Sequence, residues 1–300
     1  MMLRHGFFTG ALLAAFLTAC AARAAGPLAV LPIRLAPHRV FVPVSLNGSN
    51  DLFFMLDTGF SMTMIHPSLA GPLQLRRAGE ITIAGIAGEE RAPTYEGAVL
   101  DLGGVSYAPR RVAALASDGG QRRRRDGILG SGLFRNFVVE IDFVRKQMSL
   151  YAPTNFSYAG KGEIIPLRFP RGGTVPIVNA SLFAGNDTNG ALVHGEFEID
   201  TGCDSGVCVA NDFAKTHHLL DHAATSESEK IGVGGGTATR SGSLPLLQLG
   251  GARIEPAQAD FFLEGSPTDP GLAGHIGITA LNRFKVILDY SRRRMILEKP

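Results

Sequence analysis

Asp-Thr-Gly occurs twice in the 300-residue chain, at Asp57–Thr58–Gly59 and at Asp200–Thr201–Gly202. Each copy follows an apolar run, Leu52–Leu56 and Phe197–Ile199, that reads as the inside of a sheet. A lone carboxylate in such a place costs several kcal/mol unless it is paired, hydrogen-bonded or protonated. Two carboxyls brought together meet that demand in a particular way. They cannot both ionise, so the pair keeps one proton over a wide pH range. One member is then a general base and the other a general acid, and hydrolysis of an amide by water needs both. Asp57 and Asp200 are the candidate reacting groups. Gly59 and Gly202 leave room for backbone beside each carboxyl, where an N–H can donate. A single Asp-Thr-Gly is usually a turn in which the Asp caps its own backbone. A matched pair is not accounted for in that way.

The match extends through both halves of the chain. "DGILGSGLFRNFVVEIDFVRKQMSLY" (126–151) resembles "GHIGITALNRFKVILDYSRRRMIL" (274–297), with Gly130 on Gly277, Phe137 on Phe284 and Asp142 on Asp289. "LDLGGVSYAP" (100–109) falls on "LQLGGARIEP" (247–256) at the same spacing. The chain therefore reads as an internal duplication, each copy carrying one Asp-Thr-Gly.

The elements that must position these residues are mostly strands. Val40–Leu46, Leu52–Leu56, Val138–Asp142, Gln147–Tyr151, Phe197–Ile199, Lys285–Asp289 and Met295–Glu298 are short, apolar and punctuated by Gly, Pro, Asn and Asp. Short helices are expected at His66–Leu73, Leu133–Phe137, Asn211–Leu220 and Ala280–Phe284. The expected fold class is all-β: two small β-barrel lobes around a central cleft, 26–155 and 156–300, with the boundary in the polar stretch Ala152–Glu163. Residues 1–25 read as an export leader, with Arg4 and His5 ahead of an apolar stretch too short to span a bilayer. Its end reads in two ways. Leu17–Cys20 resembles the bacterial lipobox, with Cys20 lipidated, and Ala22–Ala24 resembles an ordinary cleavage site. The expected location is the periplasm or, through a lipid on Cys20, the membrane surface of a bacterial envelope.

Three features per half resemble the lobes of retropepsin-like aspartic peptidases, and the whole resembles a two-lobed, single-chain version as in pepsin. They are the strand ending in Asp-Thr-Gly, a glycine-rich hairpin tip, and an apolar-apolar-Gly triplet. The hairpins are "ITIAGIAGEERAP" (81–93) and "EKIGVGGGTATRSG" (229–242), and the triplets are "ILG" (128–130) and "HIG" (275–277). Neither hairpin has the tyrosine of the pepsin flap, and both halves have a flap, which is nearer to a retroviral dimer fused into one chain. The resemblance implies an aspartic endopeptidase with Asp57 and Asp200 as its dyad. It implies that Thr58 and Thr201 fix the two loops across the lobe junction. It places Phe60, Cys203, Ala84, Gly85, Ile86, Gly232, Val233 and Gly234 against substrate. A protein or peptide substrate, a monomer, no cofactor and no metal are expected. The alternative is a catalytically weak or inactive peptide-binding module on the same fold.

Several residues depart from the pattern or stand outside it. Phe60 and Cys203 follow the Asp-Thr-Gly copies where a hydroxyl often donates to the carboxylate. Without that donor the pair is expected to lose its first proton at a higher pH. Phe60 either shapes an apolar pocket or crowds the cleft. Cys203 and Cys208, five positions apart, are expected to stand too far apart to bridge and to act as small apolar side chains. His275 is expected to be a half-exposed strand residue, the alternative being a tuned neighbour of the site, and Arg122–Arg125 a solvated loop, the alternative being contact with anionic lipid if Cys20 is lipidated. Ile231–Gly236 is glycine-rich but opens no helix, so a hairpin and not a phosphate loop is expected. His217 and His218 have no metal-ligand spacing with the cysteines. The net charge of +2 gives no reason to expect nucleic acid, and an apolar fraction of 45% suffices for a core.

Overall fold

The computed structural model describes residues 26–36, 38–116, 125–170, 173–185, 190–221, 223–266 and 270–300. The leader with Cys20, and Arg122–Arg124, lie outside the described residues. Among the described residues no helix is long and apolar enough to cross a membrane.

The expected strands form, and most extend beyond their sequence limits. Arg39–Leu46 alternates strictly, burying Val40, Val42, Val44 and Leu46 on one face. It turns through Asn47 and Gly48, both at positive φ, into Ser49–Leu56. Asn-Gly favours that turn because both central residues must be left-handed. The helix expected at Leu133–Phe137 begins two residues earlier, and the other three are shorter than expected. Ser131–Asn136, Asn211–Thr216 and Ile278–Leu281 are one or two turns, and His66–Leu73 keeps only a 3-10 turn at Pro67–Leu69.

Among the described residues there are three sheets. In the first lobe the order is Arg76–Gly85, Gly88–Glu96, Val112–Ala114, Met64–Ile65, Gly127–Leu129, Ser49–Leu56, Arg39–Leu46, Leu100–Asp101, Ser106–Tyr107. In the second it is Thr225–Gly232, Gly235–Leu244, Ala257–Phe262, Val207–Val209, Gly274–Ile276, Ala191–Ile199, Ile177–Ala184, Leu247–Leu249, Ala252–Ile254. Position by position the two orders correspond, and in each the strand leading to Asp-Thr-Gly lies parallel to the strand of the apolar-apolar-Gly triplet. This is an all-β, two-lobed architecture.

The third sheet has no counterpart in the sequence reading. Its order is Ala29–Pro32, Gln147–Tyr151, Val138–Asp142, Lys285–Asp289, Arg294–Glu298, Glu163–Pro166. The two halves meet at its centre, where Val139 pairs Leu288 and Ile141 pairs Val286. Val139, Ile141 and Leu288 have no exposed surface. Residues so far apart in sequence meet only because each half buries the other's apolar face.

Leu288→Ala should remove a buried side chain at this seam and lower the unfolding free energy by about 2–5 kcal/mol. Urea unfolding reads it as a lower midpoint at unchanged slope. A loss under about 1 kcal/mol would show that the seam does not hold the halves together.

Candidate active site

Each Asp is fixed by the strand beside its own. The Asp57 N–H donates to Leu129 O at 3.1 Å, and the Asp200 N–H donates to Ile276 O at 3.0 Å. The glycines closing the triplets are close to the same loops. A Cβ on Gly277 would stand 2.7 Å from Cys203 O, and one on Gly130 would stand 2.8 Å from the Met62 carbonyl carbon. The threonines then lock one loop to the other. Thr58 N–H donates to Thr201 Oγ1 at 3.1 Å, and Thr201 N–H donates to Thr58 Oγ1 at 3.0 Å. Each hydroxyl donates onward into the other lobe, Thr58 to Ile199 O at 2.6 Å and Thr201 to Leu56 O at 3.0 Å. Both threonines are buried, so these four bonds have no water to compete with them.

The lock brings the carboxyls together. Asp57 and Asp200 are hydrogen-bonded to each other. Each carboxyl also lies over the glycine of the other loop: a Cβ on Gly59 would fall 2.7 Å from Asp200 Cγ, and one on Gly202 would fall 2.5 Å from Asp57 Cγ. Any side chain at either glycine would displace a carboxyl.

The two acids differ in their surroundings. Burial, then the charge and hydrogen bond of Asp200, push Asp57 up to about 8, against the opposing pull of Arg125 and Arg39. Burial raises Asp200 too, but a hydrogen bond from His275, its charge, the Gly202 N–H and Asp57 bring it below its ordinary value. Gly202 N–H donates to Asp200 Oδ1 at 2.8 Å. His275 Nδ1 lies 3.2 Å from Asp200 Oδ2, and its Nε2 lies 2.8 Å from Glu198 Oε2.

Two sequence expectations are corrected here. His275 is not half-exposed: it is buried, on a strand that lines the cleft. Cys203 and Cys208 are free thiols but not distant, since the loop folds back and sets their sulfurs 3.1 Å apart. Burial and this contact hold the Cys203 thiol well above its usual range. Beside Asp200, His275 supplies a donor where Cys203 has no hydroxyl to offer.

The walls of the cleft differ in the same sense. Met55, Ile128, Met64 and Ala113 are cross-strand neighbours in one row of the first lobe. The corresponding row of the second lobe is Glu198, His275, Cys208 and Asp260. Around the first row Ile83, Ala92 and Leu115 complete an apolar cluster on which Phe60 packs. Phe60 thus shapes an apolar wall. Around the second, Lys230 bridges Asp204 at 2.6 Å and Asp260 at 2.8 Å. Asp260 also accepts from Ser205 and Ser241. Arg39 reaches from the first lobe to Gly202 O and pairs with Asp204 at 3.5 Å. Glu198, Lys230, Asp204, Asp260 and Arg39 were not singled out in the sequence. The available signal was the duplication itself, which sets an ionisable residue opposite an apolar one at Met55/Glu198, Ile83/Lys230, Ala113/Asp260 and Ile128/His275.

The hairpins roof a cleft of about 390 Å³. Ala84, Gly85 and Ile86 face Gly232 and Val233 across it. The tips touch: Ala87 N–H donates to Val233 O at 3.3 Å, and Val233 packs on the first lobe's apolar cluster. Gly234, at φ +87°, lies against Gly88, where a Cβ would collide with backbone. Ile231–Gly236 is the hairpin the sequence implied. Arg125 lines the cleft. His218, exposed, bonds Asp221 instead, and His217 stacks on Phe213. Among the described residues no cluster of potential metal ligands stands out.

Residues 42–133 match a family model described as aspartyl protease. Among solved structures, an aspartic proteinase from Irpex lacteus superposes with a TM-score of 0.62 at 17% identity, over 90% of this chain and 97% of that one. No curated protein sequence matches.

Thr58→Val keeps the shape but removes one acceptor and one donor of the lock. It should cost about 1–3 kcal/mol through the orphaned N–H, as should Thr201→Val. The double variant should cost less than the sum, because the two hydroxyls serve one network. Strict additivity in urea unfolding would show that they act separately.

Proposed function

We propose that this chain, which belongs to the pepsin- and retropepsin-like aspartic peptidases, is an exported endopeptidase using Asp57 and Asp200 as one unit. The observation that carries the reading is the meeting of two carboxyls, one from each lobe and neither more than about one-eighth exposed, each packed over the glycine of the other's loop on the floor of a cleft under two hairpins. The leader at residues 1–25 supports export to a bacterial envelope.

In this reading Asp200 is the carboxylate and Asp57 holds the proton. Asp200 takes a proton from water as the water oxygen attacks the peptide carbonyl. Asp57 gives its proton to the carbonyl oxygen. When the tetrahedral intermediate collapses, the proton taken up by Asp200 passes to the leaving amine, the C–N bond breaks, and one hydroxyl of the intermediate returns its proton to Asp57 as the carbonyl re-forms, which restores both acids. Residues 84–86 and 232–234 offer backbone groups to an extended peptide, and closure over it excludes water. Each lobe supplies one carboxyl, so a monomer suffices. A binding module on the same fold would have no use for two acids in contact at that cost of burial.

The mature protein should cut members of a mixed peptide library, with products read by mass spectrometry in the presence and absence of pepstatin. Asp57→Asn and Asp200→Asn should each abolish cleavage, and the double variant should be no worse. A single variant keeping about a tenth of the activity would refute the shared unit. Specific activity should not depend on enzyme concentration.

The pH dependence follows from the opposite shifts of the two acids. The active form needs Asp200 ionised and Asp57 protonated. Asp200 ionises below its ordinary value, so the acid limb of kcat/KM should lie under the usual carboxylate range. Asp57 keeps its proton until about 8, so the alkaline limb should lie near there. Activity lost by pH 5 would contradict this assignment.

A further inference from the structure

The second lobe places an imidazole between two carboxylates, and the first lobe has nothing equivalent. Glu198 and His275 are direct neighbours across parallel strands, as Met55 and Ile128 are in the other lobe. His275 Nε2 is 2.8 Å from Glu198 Oε2, and Nδ1 is 3.2 Å from Asp200 Oδ2. Carboxylate oxygens only accept, so both ring nitrogens must donate, and the ring that does so is an imidazolium. Both side chains of the pair are buried, about one-tenth exposed each. A charged ring in that position is tenable because its counter-ions sit on both sides.

We propose that Glu198 and His275 are a positioning pair that fixes Asp200 as the base of the carboxyl pair and so leaves the shared proton on Asp57. The proposal rests on the peptidase reading and deepens it. With His275 on Oδ2 and the Gly202 N–H on Oδ1, both oxygens of Asp200 face donors. Hydrogen bonds and a cation stabilise the charged form of an acid. Asp57 has Asp200 itself as its partner, with Arg39 and Arg125 acting on it through their charge. Glu198 faces the ring from the adjacent strand, Asp200 and Cys203 from the loop that follows it, and Cys208 from the strand on its other side. Lys230 and Asp204, also lining the cleft, form a separate ion pair. Asp200, Cys203 and Glu198 outweigh burial and hold the imidazole well above its ordinary value. In a chain of two alike lobes, this pair makes the acids unlike.

The test is the pH profile of kcat/KM on one cleaved peptide, for the wild type and for His275→Gln. Loss of the cation should move the acid limb up by about 1–3 pH units, whereas a loss of packing alone would lower the rate without moving the limb. Glu198→Gln should leave the acid limb in place and add an inflection at neutral pH, where an imidazole without its second counter-ion deprotonates. A second measurement needs no variant. The ring nitrogens of His275, followed by ¹⁵N NMR in the intact protein, should keep the imidazolium signature through pH 8. A ring that titrates near its ordinary value, or an acid limb that stays in place in His275→Gln, overturns the proposal. Wild-type cleavage with an unmoved limb would overturn this role alone. No cleavage by the wild type would overturn the peptidase reading, and the role with it.

Discussion

Two acidic side chains in contact, out of water, is the condition that the rest of the molecule serves. Left to themselves, two like charges at that distance would drive the loops apart or force one of the groups to keep a proton. The threonine lock prevents the first. Its four buried hydrogen bonds tie each loop to the strand beneath the other, so neither Asp can withdraw without orphaning backbone N–H groups. The six-stranded sheet supplies the foundation, since it joins the halves where the loops meet. The glycines at 59 and 202 follow from the same condition, because each carboxyl occupies the space a side chain would take.

Much of this was legible in the sequence because it is local. An apolar strand, an Asp-Thr-Gly turn and a glycine-rich hairpin are each short patterns, and their recurrence linked the two halves. The third sheet was not legible, since its pairs, such as Val139 with Leu288, lie far apart in the chain and carry no local mark. His275 and Glu198 were misread or missed for another reason. Period-two alternation distinguishes the two faces of a strand but does not distinguish a face turned to bulk water from one turned to an internal cleft. The cysteines are free thiols, as expected, but their separation was misjudged: five residues suggest distance unless the loop folds back, as it does between Cys203 and Cys208.

The second lobe retains the frame of the first while exchanging its filling. Met55, Ile128, Met64 and Ala113 give an apolar surface whose energetics are those of burial. Glu198, His275, Cys208 and Asp260 occupy the equivalent row, and every charge there is answered by another. A network of that kind tolerates little. Removing one member leaves its partner buried and unpaired, which costs more than losing a methyl from the opposite wall. The second lobe is therefore the more sensitive of the two to single substitutions along the cleft.

The unlike walls also settle an ambiguity that two like halves would create. A cleft with true two-fold symmetry accepts an extended chain equally well in either direction, because a half-turn exchanges its ends. Here the half-turn exchanges a greasy wall for an ionic one, and Asp57 for an Asp200 bonded to His275. The two directions of an occupant thus become distinct states of different energy. An apolar side chain pressed against Glu198 and His275 in place of Met55 and Ile128 forgoes about 1.5–3 kcal/mol of burial, enough to favour one direction by an order of magnitude or more. The fold gives the cleft its reach, and the unlike filling gives it a sense of left and right.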